Sequence, residues 1–420
     1  MALALAGKPT QLGVSTSGLN LVYKGVTFRL SGSCYLMLNI LRSLQLLILA
    51  AIVSSSITAN AQSGLSSQGR EFWLGFMPNA DLPAQALAIH VATDVDNRIK
   101  VETFGEGGSI VRTQSITLGA HQSYRFDLSV GLSETRIQEV PQYRAIRVTS
   151  TSPCAVSGLS DNQLSTEAYL GLPITTYGTE YYCVSYFDDM YYFVPNSHLG
   201  GEFLIVAPYD DTKVTIRTNA KTTTSEDGKT IGHDSGAVWT VTLAKGQTYL
   251  VQSTGWNFGV GDLTGSHVTS TKPIGFLTGH QRAQIETTLD NSKDHLIEMI
   301  PPTNLWGTEY IGIPQYKRLV GSYYRVLSSE PENTVAVSGL DTVLNLDAGE
   351  FASLSEVKQA VQFKSTNGKR FIVMQYGYHQ NYGGDPKLGD PYMVTLIPTS
   401  AFVSSATFRL PQNVGSGFNH

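Results

Sequence analysis

Residues 204–217 read LIVAPYDDTKVTIR: an apolar run, an aromatic and acidic turn at Tyr209, Asp210 and Asp211, then apolar and polar residues in strict alternation. A turn between two short runs rich in Val, Ile and Thr is the sequence form of a β-hairpin. The same arrangement stands at 89–102 (IHVATDVDNRIKVE) and at 324–338 (YRVLSSEPENTVAVS). Working outward, each hairpin is preceded by a glycine phrase: Gly69-Arg70-Glu71-Phe72, Gly178-Thr179-Glu180-Tyr181 and Gly307-Thr308-Glu309-Tyr310. Each is followed by a strand, a tight turn and a return strand, at 116–128, 241–253 and 344–356. Val148-Thr149-Ser150-Thr151, Val268-Thr269-Ser270-Thr271 and Phe363-Lys364-Ser365-Thr366 come next, each leading to an apolar strand that stops near Gly158, Gly279 or Gly377. Four features in fixed order, three times over, make the chain a tandem repeat.

The expected organisation is a leader at 1–61, repeats at 62–165, 166–290 and 291–385, and at 386–420 the start of a fourth repeat that the chain truncates. The lead-in recurs too, with Pro173, Pro302 and Pro398 each four residues before an aromatic, Tyr177, Trp306 or Phe402. About seven short strands per hundred residues predict an all-β fold of tandem repeated β-sandwich-like units. A β-propeller-like arrangement, with two short blades per copy, fits the same pattern. The stretch LSVGLSETRIQEVPQ (128–142) departs from it, with helix-like spacing that predicts a short surface helix or an extended loop.

Composition agrees with strands and excludes several classes of function. The chain has 420 residues, 41% hydrophobic and 15% charged, with 40 Gly, 21 Tyr and 16 Phe. That suits a turn-rich β protein with sizeable cores, not a disordered tail or a helical bundle. A net charge of −5 with no long basic run gives no surface for tracking phosphates, so nucleic acid is not an expected partner. Residues 37–61 have one Arg, an apolar run from Leu44 to Val53 and an Ala59-Asn60-Ala61 end, the layout of a secretory signal peptide cleaved before Gln62. Whether Met1 or Met37 is the true start stays open. The run is shorter than the roughly 20 residues that span a bilayer as a helix. A secreted, extracellular chain with no membrane span after cleavage is expected. In that compartment Cys154 and Cys183 are a candidate disulfide, weighed against two buried free thiols.

Candidate chemistry is sparse. The acidic turns Asp94/Asp96, Asp210/Asp211 and Glu330/Glu332 could share Ca²⁺, but they lack the ligand series of a calcium loop, and side chain to backbone turn bonding is the expected role. The glutamate of each glycine phrase is expected to pair with a cross-strand Arg or Lys. His280 and His379 occupy similar positions without a third imidazole, and Gly232-His233-Asp234-Ser235-Gly236 resembles a serine-hydrolase stretch only superficially. No catalytic residue, metal ligand or cofactor is assigned. The most distinctive segment is SYFDDMYYFVPN (185–196), where Tyr186, Phe187, Asp188, Asp189 and Tyr191 make an aromatic, acidic hairpin suited to a protein or sugar contact. Half of its rings are expected to face the core.

GREFWLGFMPN (69–79), LPITTYGTEYYCVSY (172–186), STKPIGF (270–276) and HLIEMIPPTNLWGTEY (295–310) together resemble the N-terminal region of the IgG Fc-binding protein family, over about Gly69 to Leu410. The resemblance implies a secreted, non-catalytic β module of mucus-associated and adhesive proteins, contacting extracellular proteins or glycoproteins. It supplies no binding residues to carry over. A carbohydrate-binding module and a secreted hydrolase are the rival readings.

Overall fold

The structure, a computed structural model, describes residues 66–79, 83–162, 165–187, 199–224, 228, 231–254, 261–286, 292–384 and 389–404, together with three strands near the N-terminus. The chain divides into two compact units, 1–63 and 64–420. In the first, β1 (Leu12–Ser15), β2 (Gly18–Tyr23) and β3 (Val26–Arg29) form an antiparallel meander. The signal-type segment 37–61, the hairpin residues Asp188, Asp189 and Tyr191, and the segment 405–420 lie outside the described residues. No described helix is long and apolar enough to cross a membrane.

The second unit repeats one plan three times. Copy 1 contains β4 (Gln68–Leu74), β5 (Ala86–Thr93), β6 (Asn97–Phe104), β7 (Ile110–Leu118), β8 (Gln122–Leu128), β9 (Gln142–Tyr143), β10 (Ile146–Asn162) and β11 (Ser165–Gly171). Copy 2 contains β12 (Gly178–Tyr182), β13 (Gly201–Val206), β14 (Thr212–Arg217), β15 (Val238–Leu243), β16 (Gln247–Gln252), β17 (His267–Ala283) and β18 (Asp294–Met299). Copy 3 contains β19 (Glu309–Gly312), β20 (Ser322–Ser328), β21 (Asn333–Ser338), β22 (Thr342–Leu346), β23 (Phe351–Val357), β24 (Val361–Ser365), β25 (Phe371–Tyr376) and β26 (Met393–Thr395).

Copy 3 shows the plan most plainly, as two four-stranded sheets in the orders β19-β24-β21-β22 and β23-β20-β25-β26. Its core takes Tyr310, Val335, Val337 and Phe363 from the first sheet and Tyr324, Val326 and Val373 from the second, which makes each copy a sandwich and not a pair of propeller blades. In copies 1 and 2 the equivalents of β24 and β25 are a single 17-residue strand, β10 or β17, whose first half pairs in one sheet and whose second half pairs in the other. The switch falls at Ser152-Pro153 and Lys272-Pro273, where register shifts occur. Proline has no N–H to give to the ladder, so pairing lapses there and resumes in the other sheet. Copy 3 has Asn367-Gly368 at that place, and the strand breaks in two.

β11, β18 and β26 close copies 1, 2 and 3 by pairing with β10, β17 and β25 of the same copy. These strands share no phrase that would have marked them in the sequence. The departing stretch 128–142 forms α1 (Val130–Ser133) and then a strap that reaches copy 2, where β9 adds to the edge of β16.

β13 is buried along its whole length because its sheet is covered on both faces. Phe203 and Ile205 point into copy 2, whereas Leu204 and Val206 join the core of copy 1. β20 behaves in the same way: Tyr324 and Val326 face inward, and Tyr323 and Leu327 join the core of copy 2.

Candidate functional site

The aromatic segment begins in a buried seam between copies 2 and 3. Tyr186 is fully buried, and Phe187 packs partly buried against the same core. The Tyr186 ring lies 4.3 Å from Phe187, 5.8 Å from Tyr323 and 5.9 Å from Tyr376, centroid to centroid. Tyr186 is therefore no part of an exposed tip. It follows directly on the first strand of its copy and plugs the outer face of copy 3. Asp188, Asp189 and Tyr191 lie outside the described residues, so the structure brings together only Tyr186 and Phe187 of the five expected contact residues.

Arg325 organises this seam. Its Nη1 donates to the Ser185 carbonyl at 2.5 Å and to Thr264 Oγ1 at 2.7 Å, while Nη2 meets Asp262 at 2.7 Å. The guanidinium also lies 4.7 Å from the Tyr186 ring centroid and 4.9 Å from that of Phe351. The Tyr376 hydroxyl donates to the same Ser185 carbonyl at 2.7 Å. Burial would raise the Asp262 carboxyl, but the facing Arg325 charge outweighs it and holds that carboxyl below its ordinary value. His280, weighed earlier as a metal ligand, shares in fixing the segment: its Nε2 lies 2.9 Å from the Phe187 carbonyl, and burial pushes its pKa down to about 3.

A second polar cluster joins the strap to copy 2. Gln138 Nε2 donates to Gln252 at 2.5 Å, and Gln252 Nε2 donates to the buried Glu202 at 2.7 Å, whose carboxyl burial pushes well up. Glu139 lies 2.8 Å from His233 Nδ1 and accepts from Thr222, and the His233 ring stacks on Trp239 at 3.8 Å. Ser235, meanwhile, donates to the Asn219 carbonyl at 2.6 Å. The residues of 232–236 thus turn to different partners and form no relay from nucleophile to base.

The remaining candidates take structural roles. Cys154 and Cys183 are both free and buried, in separate cores, which corrects the candidate disulfide. Cys154 Sγ lies 3.5 Å from Ser150 Oγ and Cys183 Sγ lies 3.0 Å from Thr278 Oγ1, and burial pushes both thiols up. Two phrase glutamates pair across strands with Arg or Lys as expected, Glu71 with Arg147 at 2.9 Å and Glu309 with Lys364 at 3.6 Å, whereas Glu180 meets a histidine, His267, at 3.0 Å. In the acidic turns, Asp96 accepts from the Ala120 N–H at 3.0 Å and Asp210 from the Lys245 N–H at 2.9 Å, while Glu330 pairs with Arg370 at 2.8 Å. Asp211 and Glu332 hold φ near +51°, the left-handed turn geometry. Among the described residues no three His, Cys, Asp or Glu side chains are placed to hold a metal ion.

Arg325 was missed from sequence, although SYYRVLS (322–328) carried a signal: one charge in a run otherwise suited to burial on both faces.

The family model described as IgGFc binding protein matches residues 167–418, which takes in most of the closing strand of copy 1 and all of copies 2 and 3. The chain belongs to the IgGFc-binding protein family. The human IgGFc-binding protein is 24% identical to it over 366 residues, which is 82% of this chain and 6% of that protein. The chain thus spans a small part of that relative's length. No solved structure matches it. The matched region includes the phrases at 178–181 and 307–310 and the seam built around Arg325.

Proposed function

We propose that the chain is a secreted, non-catalytic module that binds extracellular proteins or glycoproteins, and that residues 187–193, with Asp188, Asp189 and Tyr191, make the contact. Membership of the IgGFc-binding family supports a binding role, and a relative named for binding IgG Fc makes Fc the first probe. The observation that carries the assignment to this segment is its anchor. Arg325, Tyr376 and His280 fix residues 185–187, so the segment leaves a rigid seam and a partner need not order its base. Tyr186 acts as the root of the segment and takes no part in the contact.

The test is surface binding of IgG Fc and of a purified mucin to the 62–420 chain, compared with a Tyr191→Ala, Asp188→Asn, Asp189→Asn variant. Saturable binding to either probe, weakened at least tenfold in the variant at unchanged melting temperature, is the expected result. Binding to neither probe, or equal binding by the variant, overturns the assignment.

A further inference from the structure

In copies 1 and 2, two segments seat the copy that follows: the connection after the first strand, and the proline-led linker at the end of the copy. In copy 1 these are residues 75–77 and 172–177. Phe76, Met77 and Leu172 share a core with Leu204, Leu250 and Ile297 from the outer face of copy 2, and the Leu172 N–H points at Met299 Sδ at 3.3 Å. In copy 2 they are residues 183–187 and 300–306, which share a core with Tyr323, Leu327, Ile372 and Met374 of copy 3.

Copy 3 has both segments, at 313–319 and 397–402. Its linker is built like the others: Pro398 lies 2.3 Å from the place a Cβ on Gly307 would take, as Pro173 does at 2.2 Å over Gly69 and Pro302 at 2.5 Å over Gly178. Yet among the described residues this seat is bare. Ile313, Tyr316, Leu319 and Phe402 are 67%, 83%, 75% and 61% exposed, whereas Phe76, Tyr186 and Trp306 in the covered seats are 0%, 1% and 4% exposed. Single apolar side chains on a surface need no explanation, but four on the two segments that seat the next copy elsewhere in the chain do. A unit that ends a repeat array ordinarily turns a polar face to water, and this face of copy 3 is apolar.

We propose that this face of copy 3 is a docking seat for a further β unit of the same repeat type, whose second sheet lays its outer face across Ile313, Tyr316, Leu319 and Phe402. The chemistry of that face follows from a difference between the copies. Copies 1 and 2 carry a long connection after the fifth strand that satisfies buried polar groups of the next copy: Gln138 reaches Glu202 through Gln252, and Asp262 and Thr264 hold Arg325. In copy 3, β23 and β24 are joined by residues 358–360 alone. A buried charge arriving there would have no partner, so the fitting face is aliphatic on its second strand, where copy 2 has Glu202 and copy 3 has Arg325.

The test lengthens the full chain by joining residues 307–404, with Arg325→Met in the added unit, after Phe402. Amide exchange at 313–319 should slow at least tenfold and return to its original rate when Tyr316→Lys and Leu319→Lys are introduced. An added unit whose own strands are protected while 313–319 exchanges at its original rate overturns the proposal. So does dimerisation of the unlengthened chain that the two lysine substitutions abolish, which would assign the seat to a second copy. A measurement on the chain as it stands guards against an added unit that fails to fold. It should bind bis-ANS, with fluorescence falling at least fivefold on Tyr316→Lys, Leu319→Lys at unchanged melting temperature; retained fluorescence in that variant overturns the seat.

Discussion

Arg325 has Tyr324 and Val326 as chain neighbours and sits in a strand buried from end to end. Its charge is tolerated because Asp262, Thr264 and the Ser185 carbonyl meet its Nη1 and Nη2 groups. Removing one side of such a pair leaves the other uncompensated, so Arg325→Ala should cost about 3–5 kcal/mol. Arg325→Met with Asp262→Leu should recover most of that loss, and urea midpoints of the three chains decide it. Glu298 makes a different case. It accepts from the Thr395 N–H at 3.0 Å, and burial pushes its carboxyl up to about 8. Its ordinary value is 4.5, so the folded chain holds a proton that the unfolded chain releases. This stabilisation is complete below about pH 4.5 and is lost as pH rises through 8, a change on the order of a few kcal/mol. The buried His280 and His295, pushed down to about 3 and about 4, act in the opposite sense: their contribution is present above about 6.5 and fades as pH falls. Glu298→Gln should therefore flatten the decline in stability between pH 5 and 8 and leave the acid side unchanged. Parallel curves for the two chains would refute this.

The glycine phrases are legible as a repeat from sequence, but the reason for their residues is not. Gly178 is glycine because Pro302, at the far end of the same copy, occupies the space of its Cβ. The Tyr181 hydroxyl accepts from the Gly178 N–H at 2.9 Å and donates to the Ile274 carbonyl at 2.7 Å, beside the proline where β17 changes sheets. Tyr310 makes the same two bonds to Gly307 and Phe371, at 2.8 and 2.7 Å. Phrase and proline close each copy on itself, more than a hundred residues apart in copy 2, and no local pattern shows that they meet. Gly178→Ala should force Pro302 aside and cost about 1–3 kcal/mol, as overpacking does, and Gly307→Ala should do the same through Pro398. Thermal melts that leave either variant within half a degree of wild type would contradict the closure. The aromatic segment is only partly legible for a related reason. Tyr186 lies in a connection between strands, where neither alternation nor helical spacing tells a core side from a water side.

At the scale of the molecule, strand content, the sandwich plan and the threefold order were readable from alternation and turn residues. The coupling between copies was not, because it depends on which sheets have two covered faces. The uninterrupted apolar run at 203–207 and the nearly apolar run at 322–328 were its visible traces. Leu204, Val206, Leu250, Leu277 and Ile297 of copy 2 belong to the core of copy 1, and Tyr323, Leu327, Ile372, Met374 and Tyr376 of copy 3 belong to the core of copy 2. Where units share cores on this scale, the interface term in a linear array rivals the stability of a single unit, and neighbours unfold together. Calorimetry of the 62–420 chain should thus give one transition whose van't Hoff and calorimetric enthalpies agree. A chain ended after Trp306 should be poorly soluble and lower-melting, since it strips cover from Tyr186, Cys183 and Ile300 and leaves Asp262 without Arg325. Three resolved transitions, or a shortened chain as stable as its parent, would show that the copies stand independently and that the buried seam contributes little to either fold or presentation.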